Sequence, residues 1–153
     1  FFKEASNEGD QLFIANSYNS FINNEKLLDT YIEELEDIYS YFEENNLKLI
    51  VVSPIPVIKP NPTICSNWYA KYNNQCNLKN ILDISENNKL RNINKKLNKL
   101  KDKKIIYLNL FDDLENKLLT KDRNSFLFFY NKSHLSKTGA KFFTKKFETI
   151  FSN

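Results

Sequence analysis

The feature that most constrains this chain is the run Leu47-Lys48-Leu49-Ile50-Val51-Val52, followed at once by Ser53-Pro54-Ile55-Pro56. It is nearly continuous in apolar residues, as expected for a strand covered on both faces, and strands of that kind belong to parallel sheets. Proline cannot continue a central strand, so the run must end where the prolines begin. The segment before it, residues 25–44, places Leu28, Tyr31, Leu35, Ile38 and Phe42 at helical spacings of three and four, with acidic residues on the other face. Asn45-Asn46 stops that helix. Gln11 to Asn16 reads as a shorter buried strand ending in a polar residue.

Downstream, residues 54–82 form a long loop opened by Pro54, Pro56, Pro60 and Pro62. Loops of that length are functional or tied down. A helix is predicted from Ser85 to Lys101, with Leu90, Ile93, Leu97 and Leu100 as its apolar stripe and lysines on its solvated face. Lys104 to Leu110 reads as a third strand, and Asp112 to Leu119 as a short amphipathic stretch. Phe126 to Tyr130 is a further short strand or turn. A last helix is expected to begin at Ser136 as N-cap and to carry Phe142, Phe143, Phe147, Ile150 and Phe151. Gly139 falls in its first turn, where a missing side chain permits close approach of another backbone. Strands alternating with helices give a parallel α/β sheet with right-handed crossovers. Three strands are few for a three-layer domain, so further elements are expected upstream of Phe1, which is not a methionine.

Composition narrows the function classes. The chain has 153 residues, enough for one core, and 41% of them are hydrophobic, so it folds. Its 22 basic and 19 acidic residues balance too closely to favour nucleic acid as a partner. No apolar run approaches the ~20 residues of a membrane span. Cys65 and Cys76 share one polar loop. In an oxidising compartment they can close a disulfide; in a reducing one they remain two thiols. They are too few to hold a structural zinc alone.

The sole histidine, His134, stands in Tyr130-Asn131-Lys132-Ser133-His134-Leu135-Ser136-Lys137-Thr138-Gly139-Ala140. It occupies a polar turn between an apolar segment and a helix, the kind of loop that forms the site face of parallel α/β folds. A lone histidine is more often an ordinary surface or structural residue. Ser133 adjoins His134, and sequence neighbours rarely aim at each other. Ser136 is better placed as a helix cap. Ser17 and Ser20 lack a nucleophile elbow. Trp68, Tyr69 and Tyr72 either pack the cysteine loop or stack on a sugar ring, and packing is the simpler reading.

The run from Tyr130 to Ala140 resembles the last block of SGNH hydrolases, whose pattern reads Tyr-x-Asp-x-x-His-Leu-Ser-x-x-Gly-Ala. It is most similar to the SGNH domains fused to membrane-embedded acyltransferases that O-acylate bacterial surface polysaccharides. Leu12 to Phe21 resembles the block in which a strand ends in an oxyanion-donating Asn, here Asn16. Strand 47–52 with Ser-Pro-Ile-Pro resembles the turn after the family's fourth strand, and a cysteine pair in the next loop is common there. The resemblance covers nearly the whole chain.

It implies a three-layer flavodoxin-like SGNH fold over residues 1–153, N-terminally incomplete, and acyl transfer or ester hydrolysis through a serine ester. His134 would be the base, Asn131 its orienting partner and Asn16 the oxyanion donor. The partners would be an acyl donor and a polysaccharide acceptor, with no metal or organic cofactor. The setting would be periplasmic or extracytoplasmic, attached to the inner membrane by helices elsewhere in the parent protein. Two departures stand out. The nucleophile block Gly-Asp-Ser is absent; Gly9-Asp10-Gln11 lacks the serine and leads straight into the Asn16 strand. Asn131 also replaces the usual Asp. Either the site is a Ser-His dyad aided by another acceptor, or activity is reduced, or the Asn was engineered, or the domain is a non-catalytic glycan-binding or scaffolding module.

Overall fold

The computed structural model describes residues 7–65, 67, 76, 81–120 and 123–151. In chain order the elements are β1 (Gln11–Ile14), α1 (Glu25–Glu44), β2 (Lys48–Val52), α2 (Pro62–Cys65), α3 (Ile84–Asn98), β3 (Ile106–Leu108), α4 (Phe111–Leu119), α5 (Lys137–Phe142) and α6 (Thr144–Phe151). Short 3-10 turns occupy Tyr18–Phe21, Lys99–Lys103 and Arg123–Phe128. The chain divides into two units, one of Phe1–Pro54 with Asn88–Phe111, the other of Ile55–Asn87 with Asp112–Asn153.

The first unit holds the sheet. All three strands are parallel, in the order β1-β2-β3, with Gln11 opposite Lys48 and Ile50 opposite Ile106. This is the mixed α/β architecture that the alternation of elements predicts. The central strand β2 buries Leu49, Ile50, Val51 and Val52, as its apolar run requires. In α1, Asn24 caps the N-terminus by accepting from Leu27 N at 3.0 Å. Leu28, Leu35 and Phe42 are buried along its stripe, each contributing about 1.5–3 kcal/mol by leaving water. Ile38, expected on that stripe, is instead 41% exposed. The helix ends where Asn46 turns left-handed (φ 55°), and Leu47 N bonds back to Phe42 O at 2.8 Å. Leu90, Ile93, Leu97 and Leu100 are buried as predicted.

Three expected elements are shorter than the sequence suggests. β1 stops at Ile14, leaving Asn16 two residues beyond it. β3 covers only Ile106–Leu108, because Lys104 is left-handed (φ 64°) before it. After it, the amides of Leu110 and Phe111 are both taken by Ser53 Oγ, at 2.8 and 3.0 Å. The α3 helix gives way to a 3-10 turn at Lys99.

The second unit has its own core of Ile58, Cys65, Cys76, Ile81, Leu82, Leu118, Phe126 and Phe129, with Phe128 and Leu135 packed against it. The loop expected to be structureless holds the short helix α2 and an antiparallel bridge between Ile58 and Leu82. Cys65 and Cys76 form a disulfide, with Cα atoms 5.3 Å apart. Phe126–Phe128 belongs to a 3-10 turn rather than a strand. The single last helix is two helices broken at Phe143, whose side chain is buried while Phe142 and Phe151 face solvent.

Candidate active site

His134 lies in the second unit, in a tight turn closed by a bridge between Phe129 and Leu135 and by Tyr130 N donating to His134 O at 2.8 Å. The apolar residues at its base are part of the core: Phe129 is buried and Leu135 packs on the same cluster. The tip is polar and exposed. Within it His134 Nδ1 is 2.9 Å from Asn131 Oδ1. Asn131 Oδ1 also accepts from Ser133 N at 3.0 Å. A backbone N–H can only donate, so this second bond fixes the orientation of the Asn131 amide, with oxygen and not nitrogen toward the ring. An oxygen acceptor in turn requires the proton on Nδ1. A neutral ring held in this way carries its proton on Nδ1 and presents Nε2 as an acceptor, the form a general base needs.

Ser136 anchors the other side of the turn. Its backbone N donates to Phe128 O at 2.9 Å, its hydroxyl donates to Leu127 O, and Oγ accepts from Gly139 N at 3.1 Å as the cap of α5. Gly139 is buried against Phe128, whose carbonyl oxygen would lie 2.1 Å from a β-carbon added there. The glycine is thus required by close approach, as its place in the first helical turn suggested.

Neither Ser133 nor Ser136 is an activated nucleophile. Ser133 Oγ is 3.5 Å from Nδ1, the nitrogen that already carries its proton to Asn131, so the ring cannot deprotonate it there. Ser136 Oγ is engaged as the cap. In the first unit Ser53 is buried with Oγ accepting from two amides and donating to Pro54 O at 2.8 Å. It is a structural cap for the start of α4 that sequence reasoning did not single out.

Asn16 belongs to the first unit, exposed just past the carboxyl end of β1. The segment that follows it is pinned by Tyr18, which is buried and donates its hydroxyl to Val52 O at the end of β2. Burial pushes the Tyr18 phenol far above its ordinary range, so it stays a neutral donor. Burial also raises Tyr31, whose ring stacks on Phe21 at 5.0 Å and whose hydroxyl faces Asn16 and Tyr18. Asn16 thus rides on an anchored turn and is itself exposed. Trp68, Tyr69 and Tyr72 lie outside the described residues. Among the described residues no three His, Cys, Asp or Glu side chains converge as a metal site, and no helix is long and apolar enough to cross a membrane.

The pattern of the family described as "SGNH domain (fused to AT3 domains)" matches residues 1–149. The chain belongs to that family. Among curated proteins none matches it. Membership places this SGNH domain in the setting of acyl-transfer or esterase-type chemistry and of a membrane-associated parent protein.

Two features escaped the sequence reading and had a signal in it. Asn87 and Asn94 stand three residues before Leu90 and Leu97, on the apolar stripe of α3, and both are buried. Polar residues on a buried stripe mark groups with specific partners. Asn94 accepts from Tyr107 Oη at 2.5 Å.

Proposed function

We propose that this domain transfers an acyl group, acetyl in the simplest case, to a cell-surface polysaccharide hydroxyl or to water through a serine ester. No Gly-Asp-Ser run occurs in these residues, so the serine is supplied from elsewhere in the parent protein. In the first half-reaction the serine oxygen attacks the acyl carbonyl while His134 Nε2 takes its proton. That proton passes to the leaving group as the carbonyl–leaving-group bond breaks. In the second half-reaction the acceptor hydroxyl or water attacks the serine ester, His134 takes its proton and returns it to the serine. Asn16 donates its side-chain amide to the oxyanion of each tetrahedral intermediate. Asn131 holds the ring in the tautomer that leaves Nε2 free. No step requires a metal or an organic cofactor.

The observation that carries this reading is the Nδ1 to Oδ1 contact of 2.9 Å, with the amide oriented by Ser133 N. The Cys65–Cys76 disulfide supports an oxidising, extracytoplasmic setting, attached to the inner membrane through the parent protein. A second reading, a non-catalytic glycan-binding or scaffolding module, draws on one specific feature: Asn131 is neutral where the family carries a carboxylate.

The test uses the parent protein with its serine, assayed for acetyl ester hydrolysis and for acetylation of a polysaccharide acceptor. His134→Ala abolishes both activities, and Asn16→Ala lowers kcat by about 10²–10³-fold, the usual cost of one oxyanion donor. Undiminished turnover in His134→Ala overturns the base assignment. A wild-type protein that binds the glycan but turns over neither substrate establishes the module reading instead.

A further inference from the structure

We propose that Asn87 is a positioning residue for His134, acting through a hydrogen-bonded relay that runs by way of the Pro-rich loop. The proposal rests on His134 as the base, and every contact in the relay lies within the second unit.

Asn87 is 0% exposed, in the first turn of α3. Three of its four hydrogen-bonding directions are used by backbone. Oδ1 accepts from Val57 N at 2.8 Å, and Nδ2 donates to Val57 O at 2.7 Å and to Asp83 O at 2.8 Å. The amide therefore bonds Val57 as a neighbouring strand would, gripping its N–H and its carbonyl together. An apolar residue on this stripe would serve the packing of α3 as well. What it could not do is fix Val57 in two directions at once.

Val57 opens a short extended stretch. One edge of that stretch pairs with residues 81–83, through Asp83 N to Val57 O at 3.0 Å and Lys59 N to Ile81 O at 2.9 Å. From the opposite edge Ile58 N donates to Lys132 O at 3.0 Å. Lys132 lies between Asn131 and Ser133, the residues whose oxygen and amide set the His134 tautomer. The tip of the catalytic turn thus hangs on Ile58, and Ile58 is held by its burial in the core, by the pairing of its stretch with residues 81–83, and by the Asn87 grip on Val57. Displacing Val57 moves Lys132 O with it and opens the Asn131 to His134 contact. The exposed tip has no buried side chain of its own to resist that shift.

The sole histidine makes the relay directly measurable. Ring 15N NMR of this chain reports the separation between Nδ1 and Nε2 shifts, which is large when one tautomer is held. In Asn87→Ala the separation shrinks as the tautomers average. In the serine-bearing parent protein the Ala variant lowers kcat toward the ~10²-fold cost of an ångström of misplacement, with KM unchanged. A folded Asn87→Ala protein with the wild-type ring separation overturns the relay.

Should Asn87→Ala fail to fold, amide exchange in the unaltered protein decides the matter. Ile58 N–H and Tyr130 N–H then share one opening event and one protection level. Ile58 exchanging far faster than Tyr130 overturns the relay. The two claims also separate cleanly: an averaged ring with unchanged kcat refutes His134 as base, whereas an unmoved ring with lost kcat refutes the relay.

Discussion

Gly139→Ala tests whether α5 truly abuts the segment that carries the histidine turn. A β-carbon at 139 would lie 2.1 Å from Phe128 O and 2.9 Å from Phe128 C. Both are backbone atoms and cannot rotate away. Ordinary contact begins near 3.4 Å, so α5 and Phe128 must separate by about 1.3 Å. That separation breaks Ser136 N to Phe128 O and Ser136 Oγ to Leu127 O, at about 0.5–1.5 kcal/mol each. It also loosens Phe143, which is 1% exposed, for roughly another 1 kcal/mol of packing. Against this, alanine in a helix gains about 1 kcal/mol over glycine. The net expectation is a loss of about 1–3 kcal/mol.

Urea denaturation followed by far-UV circular dichroism reads this as a midpoint lowered by about 1 M, taking a slope of ~1–3 kcal/mol per M. Because the chain has two units, the transition is also followed through the His134 ring signal, which reports the second unit alone. A variant as stable as wild type, or more stable, would mean that the propensity gain stands unopposed and that Phe128 does not approach Gly139.

Two further perturbations follow from the same geometry. Cys76→Ala removes the disulfide across a separation of 11 residues and costs about 2–3 kcal/mol in the chain-entropy model; intact-mass analysis of unreduced wild type shows no free thiol, and a variant with an unchanged urea midpoint refutes the estimate. Asn131→Asp places a carboxylate against the ring and raises the His134 titration midpoint, since the adjacent charge favours imidazolium; an unchanged NMR titration would mean that residue 131 does not contact the ring in solution.

Much of the fold could be read because local and global signals agree. The apolar run of β2 has one solution, a buried central strand. The acidic helix α1 is bounded by Asn24 and Asn45–Asn46, residues whose side chains and left-handed backbone end helices for clear reasons. Ser136 and Gly139 were legible as a cap and a close approach. The rest turned on tertiary partners that no local pattern contains. β3 ends early because a serine 57 residues upstream takes the amide of Leu110. The last helix breaks at Phe143, where burying that ring and exposing Phe142 outweighs continuous helical hydrogen bonding. The aromatic run at 126–129 could be read only as a short strand or a turn; residues 126–128 close a 3-10 turn and Phe129 makes a single bridge to Leu135, with Phe126 and Phe129 buried in one cluster. Of the site, the spacing of Asn131 and His134 was readable from the sequence, and the grip of Asn87 on Val57 was not.

Under the proposed mechanism, an amide at Asn131 in place of a carboxylate is less damaging in this geometry than the general case suggests. In serine proteases the same change costs about 10⁴ in kcat because the amide leaves the imidazole in the wrong tautomer. Here Ser133 N commits Asn131 Oδ1 to the acceptor role, so the amide nitrogen cannot turn toward the ring without giving up that bond. The tautomer is preserved, and what is lost is the attraction between a carboxylate and the imidazolium formed during the reaction. At about 4 Å that attraction is ~1 kcal/mol in water and ~4 kcal/mol near a protein surface. His134 and Asn131 are both exposed, which favours the lower end. Restoring the charge by Asn131→Asp should therefore raise kcat by about 5-fold to 10³-fold, not 10⁴-fold. A gain near 10⁴ would show that the amide is flipped in the working enzyme and that Ser133 does not hold it.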